Sequence, residues 1–323
     1  MLKRMLGRLV DRFGVGVERA LRPGFERMEA RAQSSEATLA RLEAQLDRLA
    51  GRLERLEALG GAATHLLACI AEEAASLAGG PGEGVCADMR GQMFSQIHED
   101  GIIAGILARI GADTRVFLEI GAGDGVENTT RALLEIGWEG VWVESDPACV
   151  AAIRERFADD LSSGRLALID DMVDRDNVAP LVARALTGRV PDVMSIDVDM
   201  NTSHLWRALD LRPRMCCIEY NACIPAPITW EVPYDPRARW DGTAFFGASL
   251  KRLEAIGRDR DMALIGCDLA GVNAFFVRAD LAAQHFPGRY DAESHWRPPR
   301  FHLAYRRGHP AWRRAVGRDR PSS

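Results

Sequence analysis

The sequence lacks a C-x-x-C pair and every common zinc-ligand spacing, although it holds seven cysteines. That absence argues against a zinc module and a disulfide framework, and leaves buried apolar cysteines in a reducing cytosol as the expected state. Cys216 and Cys217 adjoin inside an apolar run, so on a strand they point to opposite faces. No apolar run approaches the roughly 18 to 20 residues that span a bilayer, so no transmembrane helix is expected. The N-terminus does not read as a secretory leader, because Lys3, Arg4, Arg8, Asp11 and Arg12 interrupt its apolar residues and no A-x-A site follows. No internal repeat is evident. The protein is expected in the cytoplasm.

What is present is a chain of 323 residues, 47% hydrophobic and 27% charged, with the balance of a folded globular protein. Its net charge of -5 is unevenly spread: residues 1–22 carry +4, residues 294–323 carry +7, and the middle carries -16. Basic ends on an acidic body suit contact with an anionic surface, such as the inner face of the cell membrane; a solvated charged tail is the plainer alternative. Nucleic acid is not an expected partner, since the body is acidic and contains no nucleic-acid module.

Phe25, Met28, Ala32, Ser35, Leu39, Leu42, Leu46, Leu49, Leu53 and Leu56 step alternately by three and four. Such a seam predicts an α-helical coiled coil over 25–60 and hence a homo-oligomer, with one amphipathic helix lying on the globular domain as the alternative. Residues 1–22 form a basic amphipathic segment suited to a membrane surface or a neighbouring subunit. A short helix and a Gly-rich linker occupy 62–84, a catalytic-type domain 85–282, and a basic tail 283–323.

Within 85–282, apolar runs at Val116–Ile120, Gly140–Glu144, Arg165–Ile169, Asp192–Asp197 and Met215–Tyr220 alternate with helix-length segments. That order predicts right-handed crossovers and a parallel sheet covered on both faces. The last runs, Met262–Cys267 and Ala274–Arg278, are joined by too few residues for a crossover and should form an antiparallel hairpin at the sheet edge. The expected fold is therefore α/β, a doubly wound, mostly parallel seven-stranded Rossmann-like sheet ending in a hairpin and preceded by the coiled coil.

The sharpest motif, Glu119-Ile120-Gly121-Ala122-Gly123-Asp124-Gly125, follows the first strand. Its glycines permit a tight turn and close approach of a ligand, and a helix starting near Asn128–Thr130 should aim its free N–H groups there. The even glycine spacing departs from the dinucleotide fingerprint, and acidic Glu119 suits a cationic, phosphate-free cofactor. Glu144 ends the second strand about 20 residues past the loop, where an acid can accept ribose hydroxyls. Asp171, with Asp170 beside it, ends the third strand, where an acid can bond an adenine amino group or simply cap a turn. Asp197 and Asp199 follow the fourth strand, and Glu219 ends the fifth. These hard oxygens could hold Mg²⁺; alternatively Asp197 or His204 could act as general base, or the acids could merely pair with Arg207, Arg212 or Arg214. Between Ala222 and Phe246, Trp230, Tyr234 and Trp240 could stack on sugar faces or pack the connection against the sheet.

Ser95–Gly101, Phe117–Gly125, Ser195-Ile196-Asp197-Val198-Asp199, Ile218-Glu219-Tyr220-Asn221 and Gly271–Val277 together resemble FkbM-related class I methyltransferases over about residues 90–280. The resemblance implies S-adenosylmethionine as cofactor, held by Glu119, Gly121, Gly123, Asp124, Gly125, Glu144 and Asp171. It also implies a glycan or glycolipid hydroxyl as acceptor; the strand-end residues offered for its activation are Asp197, His204 and Glu219, with Asp197, Asp199 and Glu219 as the candidate Mg²⁺ set. Departures occur at His98 and Met200, where glycines are usual, and at Thr202, where an acid is usual. They keep open a methyltransferase-like domain without turnover that serves as an oligomeric scaffold in polysaccharide assembly. A nicotinamide-dependent oxidoreductase is disfavoured by the glycine spacing and the terminal hairpin.

Overall fold

The Val-Phe-Leu-Glu-Ile run of β1 (Val116–Ile120) is buried at all five positions, as a strand between two helical layers must be. The computed structural model describes residues 91–301 together with Gln45 and Met89. The basic segment, the coiled coil, the linker before residue 89 and the chain beyond Phe301 lie outside the described residues.

The further strands are β2 (Glu139–Glu144), β3 (Leu166–Asp170), β4 (Val193–Ile196), β5 (Met215–Glu219), β6 (Met262–Cys267) and β7 (Asn273–Arg278). They form one seven-stranded sheet in the order β3-β2-β1-β4-β5-β7-β6. The first five are parallel, while β7 runs antiparallel between β5 and β6. This is the expected doubly wound sheet with its edge hairpin. Its strand order reverses between β1 and β4, which opens a crevice at their carboxyl ends.

Two cores lie on opposite faces. Leu118, Ile120, Val141, Met194, Cys216 and Ile218 face one side; Phe117, Trp142, Val193, Met215 and Cys217 face the other. The two cysteines thus part as the strand period requires, and both are free thiols. Cys223, by contrast, is exposed. Gly140 is dictated by packing, since a Cβ there would lie 2.2 Å from the Phe117 ring.

The helices are α1 (Glu99–Ile110), α2 (Arg131–Glu135), α3 (Pro147–Arg156), α4 (Ala158–Ser162), α5 (Val178–Leu186), α6 (Thr202–Ala208), α7 (Leu250–Asp259), α8 (Ala279–His285) and α9 (Ala292–His295). Asp146 starts α3 by accepting from the amides of Ala148 and Cys149, with Pro147 at the first helical position, where its missing N–H costs nothing. Ser249 caps α7 through the Arg252 amide. None of the described helices is long and apolar enough to cross a membrane.

Three boundaries differ from expectation. β4 ends at Ile196, so Asp197 lies just beyond the ladder. α2 begins at Arg131, just past the expected start at Asn128–Thr130. The folded domain also continues past residue 282: Phe286 and Ala292 are buried in the two cores, and Trp296 donates to the Ala222 carbonyl at 3.3 Å. His295 bonds the Arg289 carbonyl, so it and Trp296, inside the expected basic tail 283–323, pack the fold.

Candidate active site

A cavity of about 470 Å³ opens at the carboxyl ends of β1, β2, β3 and β4, within the usual size of a small-molecule site. It is lined by Gly121, Gly123, Glu144, Asp171, Asp197 and Asp199, and roofed by Pro236, Ala238, Arg239 and Trp240 of the β5–α7 connection. Residues from Gly121 to Trp240 thus meet where the strand order reverses.

The three glycines of the loop serve different ends. Gly121 (φ +90°) passes so close to β4 that a Cβ would stand 1.8 Å from the Asp197 carbonyl oxygen. Gly125 (φ +73°) is pressed against Phe157 and Trp142 and does not line the cavity. Gly123 (φ +56°) has only the Glu127 carbonyl oxygen within reach of a Cβ, at 3.9 Å, and its open side faces the cavity.

Glu119 is not at the cavity. It is buried beneath the loop, where it accepts from the amides of Thr129 (2.9 Å) and Thr130 (3.0 Å) and from the Thr130 hydroxyl (2.5 Å). Burial pushes its pKa up to about 7 against these stabilising bonds. Asn128 accepts from the amides of Thr130 and Arg131. The expectation that the N-terminal amides of α2 face a ligand is therefore corrected: Glu119 and Asn128 have taken them. Asp124 also turns away, capping Val126 and pairing with Arg156 at 3.3 Å.

Glu144 accepts from the amides of Gly123 (2.7 Å), Ser145 (2.8 Å) and Asp146 (2.8 Å). A carboxylate offers about four acceptor positions, so roughly one remains for a ligand hydroxyl. Of the two acids after β3, Asp170 pairs with Arg154 at 2.8 Å, and Asp171 lines the cavity.

Asp197, Asp199 and Glu219 converge, each offering an oxygen within 4.8 Å of the others. Asp199 adopts a left-handed backbone (φ +54°), a turn that brings two acids on alternate residues to one point. Burial, then the charge of Asp199, raises the Asp197 pKa to about 6. Burial, then Asp197 and Asp199, holds Glu219 well above its ordinary value, and Asp197 and Glu219 share a hydrogen bond. The reading in which these acids pair with nearby arginines is excluded. Arg207 pairs with Glu231 (2.8 Å), Arg212 with Asp261 (2.8 Å) and Arg214 with Asp113 (2.5 Å).

His204 is not available as a base. Its Nε2 meets the Val232 carbonyl at 2.8 Å, its Nδ1 meets the Arg207 guanidinium at 2.9 Å, and its ring lies edge-on to Tyr234. With Nε2 donating and Nδ1 accepting, both nitrogens are spent on tying α6 to the β5–α7 connection. The departures noted in the sequence have structural work of the same kind. Thr202 donates to Glu219 (3.2 Å) and accepts from the Val198 amide, while Met200 packs with Val232 and Phe246 under the roof. Of the three aromatic candidates, Trp240 lines the cavity. Trp230 packs on Phe245, and Tyr234 on His204 and Arg175.

Several contributors escaped the sequence reading. Arg239, Asn201 and Met172 line the cavity, and Arg131 braces the glycine loop from behind. The Arg131 guanidinium lies over Phe94 (4.2 Å) and donates to the carbonyls of Gly125 and Val126. Nothing in a single sequence separates Arg239 from Arg237 or marks Arg131 as buried. The Ser95–Gly101 and Gly271–Val277 segments also meet: Asn273 donates to buried Glu99 at 3.0 Å. Asp268 collects the amides of the β6–β7 turn, and burial, then Glu99, lifts its pKa to about 7.

This crowding of buried acids has a measurable sign. Asp197, Glu119 and Asp268 bind protons more tightly folded than unfolded, where carboxyls titrate near 4. Their stabilising contribution is complete below about pH 4 and is lost as pH rises through about 6 to 7. Calorimetry should therefore show Tm falling between about pH 5 and 8. A flat or rising Tm over that range would mean that these acids ionise at ordinary values.

No protein-family model matches the sequence, and no curated protein matches it. Among solved structures, the glycopeptide N-methyltransferase MtfA complexed with S-adenosyl-L-homocysteine is similar at 16% identity and TM-score 0.35, covering 54% of this chain and 87% of that one. SAM-bound CalS10, an amino pentose methyltransferase from Micromonospora echinaspora, is similar at 13% identity and TM-score 0.36, covering 56% and 89%. An S-adenosylmethionine-dependent methyltransferase from Clostridium acetobutylicum is similar at 10% identity and TM-score 0.35, covering 55% and 89%.

Proposed function

We propose that this chain is an S-adenosylmethionine-dependent O-methyltransferase acting on a hydroxyl of a glycan or glycolipid precursor. One observation carries the choice of cofactor. The helix N-terminus that would hold a pyrophosphate is closed by the carboxyl of Glu119 and by Asn128, so a dinucleotide finds an acid where it needs donors. A cationic, phosphate-free ligand suits the cavity instead, because Glu144, Asp171, Asp197 and Asp199 all line it. Gly123 leaves its open side to such a ligand, and Glu144 keeps an acceptor for a ribose hydroxyl.

When bound, the sulfonium cofactor supplies an electrophilic methyl group that passes to the acceptor oxygen. The chain's own part is to deprotonate and place that oxygen. Asp197, its pKa raised to about 6, takes the hydroxyl proton. Protonated Glu219 donates to Asp197, and Thr202 orients Glu219. The same trio offers Mg²⁺ three hard oxygens, and the ion would lower the pKa of a coordinated hydroxyl. Trp240, 50% exposed, presents an indole to a sugar ring at the mouth. The substitutions at Met200 and Thr202, which kept a turnover-free scaffold open, leave the three acids together.

Incubation with labelled S-adenosylmethionine and surface-glycan extracts should place label in the glycan fraction, and calorimetry should detect S-adenosylhomocysteine but not NADH. Loss of transfer with chelator would assign the metal; transfer that survives it would assign Asp197 as direct base. NADH binding of comparable strength would reject the cofactor.

A further inference from the structure

Arg239 is the only cation among the described residues lining the cavity, and it makes no ion pair or hydrogen bond with any described residue although four carboxylates share that lining. Its strap is firmly held. Asn221 donates to the carbonyls of Ala244 (2.8 Å) and Phe246 (2.9 Å), and the Val232 amide donates to the Gly247 carbonyl at 2.9 Å. Trp240 is fixed by its Nε1 bond to the Thr243 carbonyl (2.7 Å) and by edge contact with Phe246. Phe246 adjoins Gly247, whose Cβ position would face the Asp199 carbonyl at 3.2 Å, so the indole stands at the β4 end of the mouth. Arg239 lines the same cavity as Glu144 and Ser145 at the end of β2. Its charge adds weakly to the amides of Cys149 and Ala148 in holding Asp146, at the start of α3, below its ordinary pKa.

The cavity under the strap runs from Asp197 and Asp199 to the end of β2, two strand spacings or about 10 Å, the reach of roughly two linked sugars. An exposed guanidinium left unpaired beside carboxylates is free to pair bidentately with a ligand carboxylate or phosphate. The cofactor's own carboxylate is the rival partner, and the S-adenosylhomocysteine measurements below separate the two. We infer that Arg239 selects an acidic saccharide as acceptor, binding a carboxylate or phosphate on the acceptor while a sugar ring stacks on Trp240. The inference rests on the methyltransferase reading above.

The test uses the full chain loaded with S-adenosylhomocysteine and titrated with trigalacturonate, with glucose 1-phosphate, and with neutral maltotriose. The wild type should bind trigalacturonate at least tenfold more tightly than maltotriose, and the glucose 1-phosphate arm tells whether phosphate serves as well as carboxylate. Arg239→Ala should erase the preference, Arg239→Lys should keep part of it, and Trp240→Ala should weaken acidic and neutral sugars alike. S-adenosylhomocysteine affinity should stay within twofold in the arginine variants. Equal wild-type affinity for acidic and neutral sugars would overturn the inference. So would an Arg239→Ala variant that loses S-adenosylhomocysteine affinity and keeps its sugar preference, which would assign the arginine to the cofactor. If S-adenosylhomocysteine fails to bind the wild type, the methyltransferase reading falls, whereas trigalacturonate preference on the free protein still reports on Arg239.

Discussion

Asp197→Asn is expected to lower methyl transfer by about 100- to 10,000-fold, the usual worth of a general base, with S-adenosylhomocysteine affinity kept within a few-fold. The asparagine preserves volume and most hydrogen bonds but cannot accept the hydroxyl proton. In the wild type the rate should rise with pH through about 6 and then level, because the active form is the ionised one. Glu219 separates two mechanisms at the same point. If it works as a protonated donor to Asp197, Glu219→Gln should retain most activity and Glu219→Ala should lose it. If it is a metal ligand, both substitutions should be equally damaging and chelator should reproduce them. A variant Asp197→Asn with wild-type turnover would remove Asp197 from the chemistry altogether.

Gly121→Ala is expected to be the most damaging single methyl addition in the loop. The residue lies at φ +90°, which costs an L side chain about 1 to 2 kcal/mol, and the new Cβ would fall 1.8 Å from the Asp197 carbonyl oxygen. That oxygen belongs to backbone, so relief requires the ends of β1 and β4 to part, which also scatters the acid trio. Thermal unfolding should show a large loss of stability or no cooperative transition. Gly123→Ala is the matched control. It carries the same kind of backbone cost at φ +56°, but its nearest neighbour is 3.9 Å away. This variant should fold and should lose S-adenosylhomocysteine affinity by at least tenfold, or about 1.4 kcal/mol. Equal stability of the two variants would show that the close approach at Gly121 is relieved cheaply.

These contrasts mark where sequence reasoning stops. The seven strands, their parallel order and the terminal hairpin are legible in the sequence, because a strand buried on both faces must be apolar throughout and a short connection cannot cross over. The ends of β1, β2, β4 and β5 likewise announce an acid each, and Asp197, Asp199 and Glu219 do come together. What sequence leaves undetermined is the partner each acid meets, both inside the ladder, where Glu119 and Asp170 stand, and beyond it, where strand alternation no longer applies. Glu119 turned inward to hold α2, Asp170 turned outward to Arg154, and Asp171 alone of that pair reached the cavity. His204 sits one turn from the acids but spends both nitrogens on the connection above it. Arg239 and Trp240 join the site only because a long tethered segment folds back across β1, a placement decided by contacts between residues far apart in the chain. Local pattern determines which residues form the sheet; the choice of which polar groups remain free for a ligand belongs to the tertiary structure, because each is settled by whatever donor or acceptor the fold brings within about 3 Å of it.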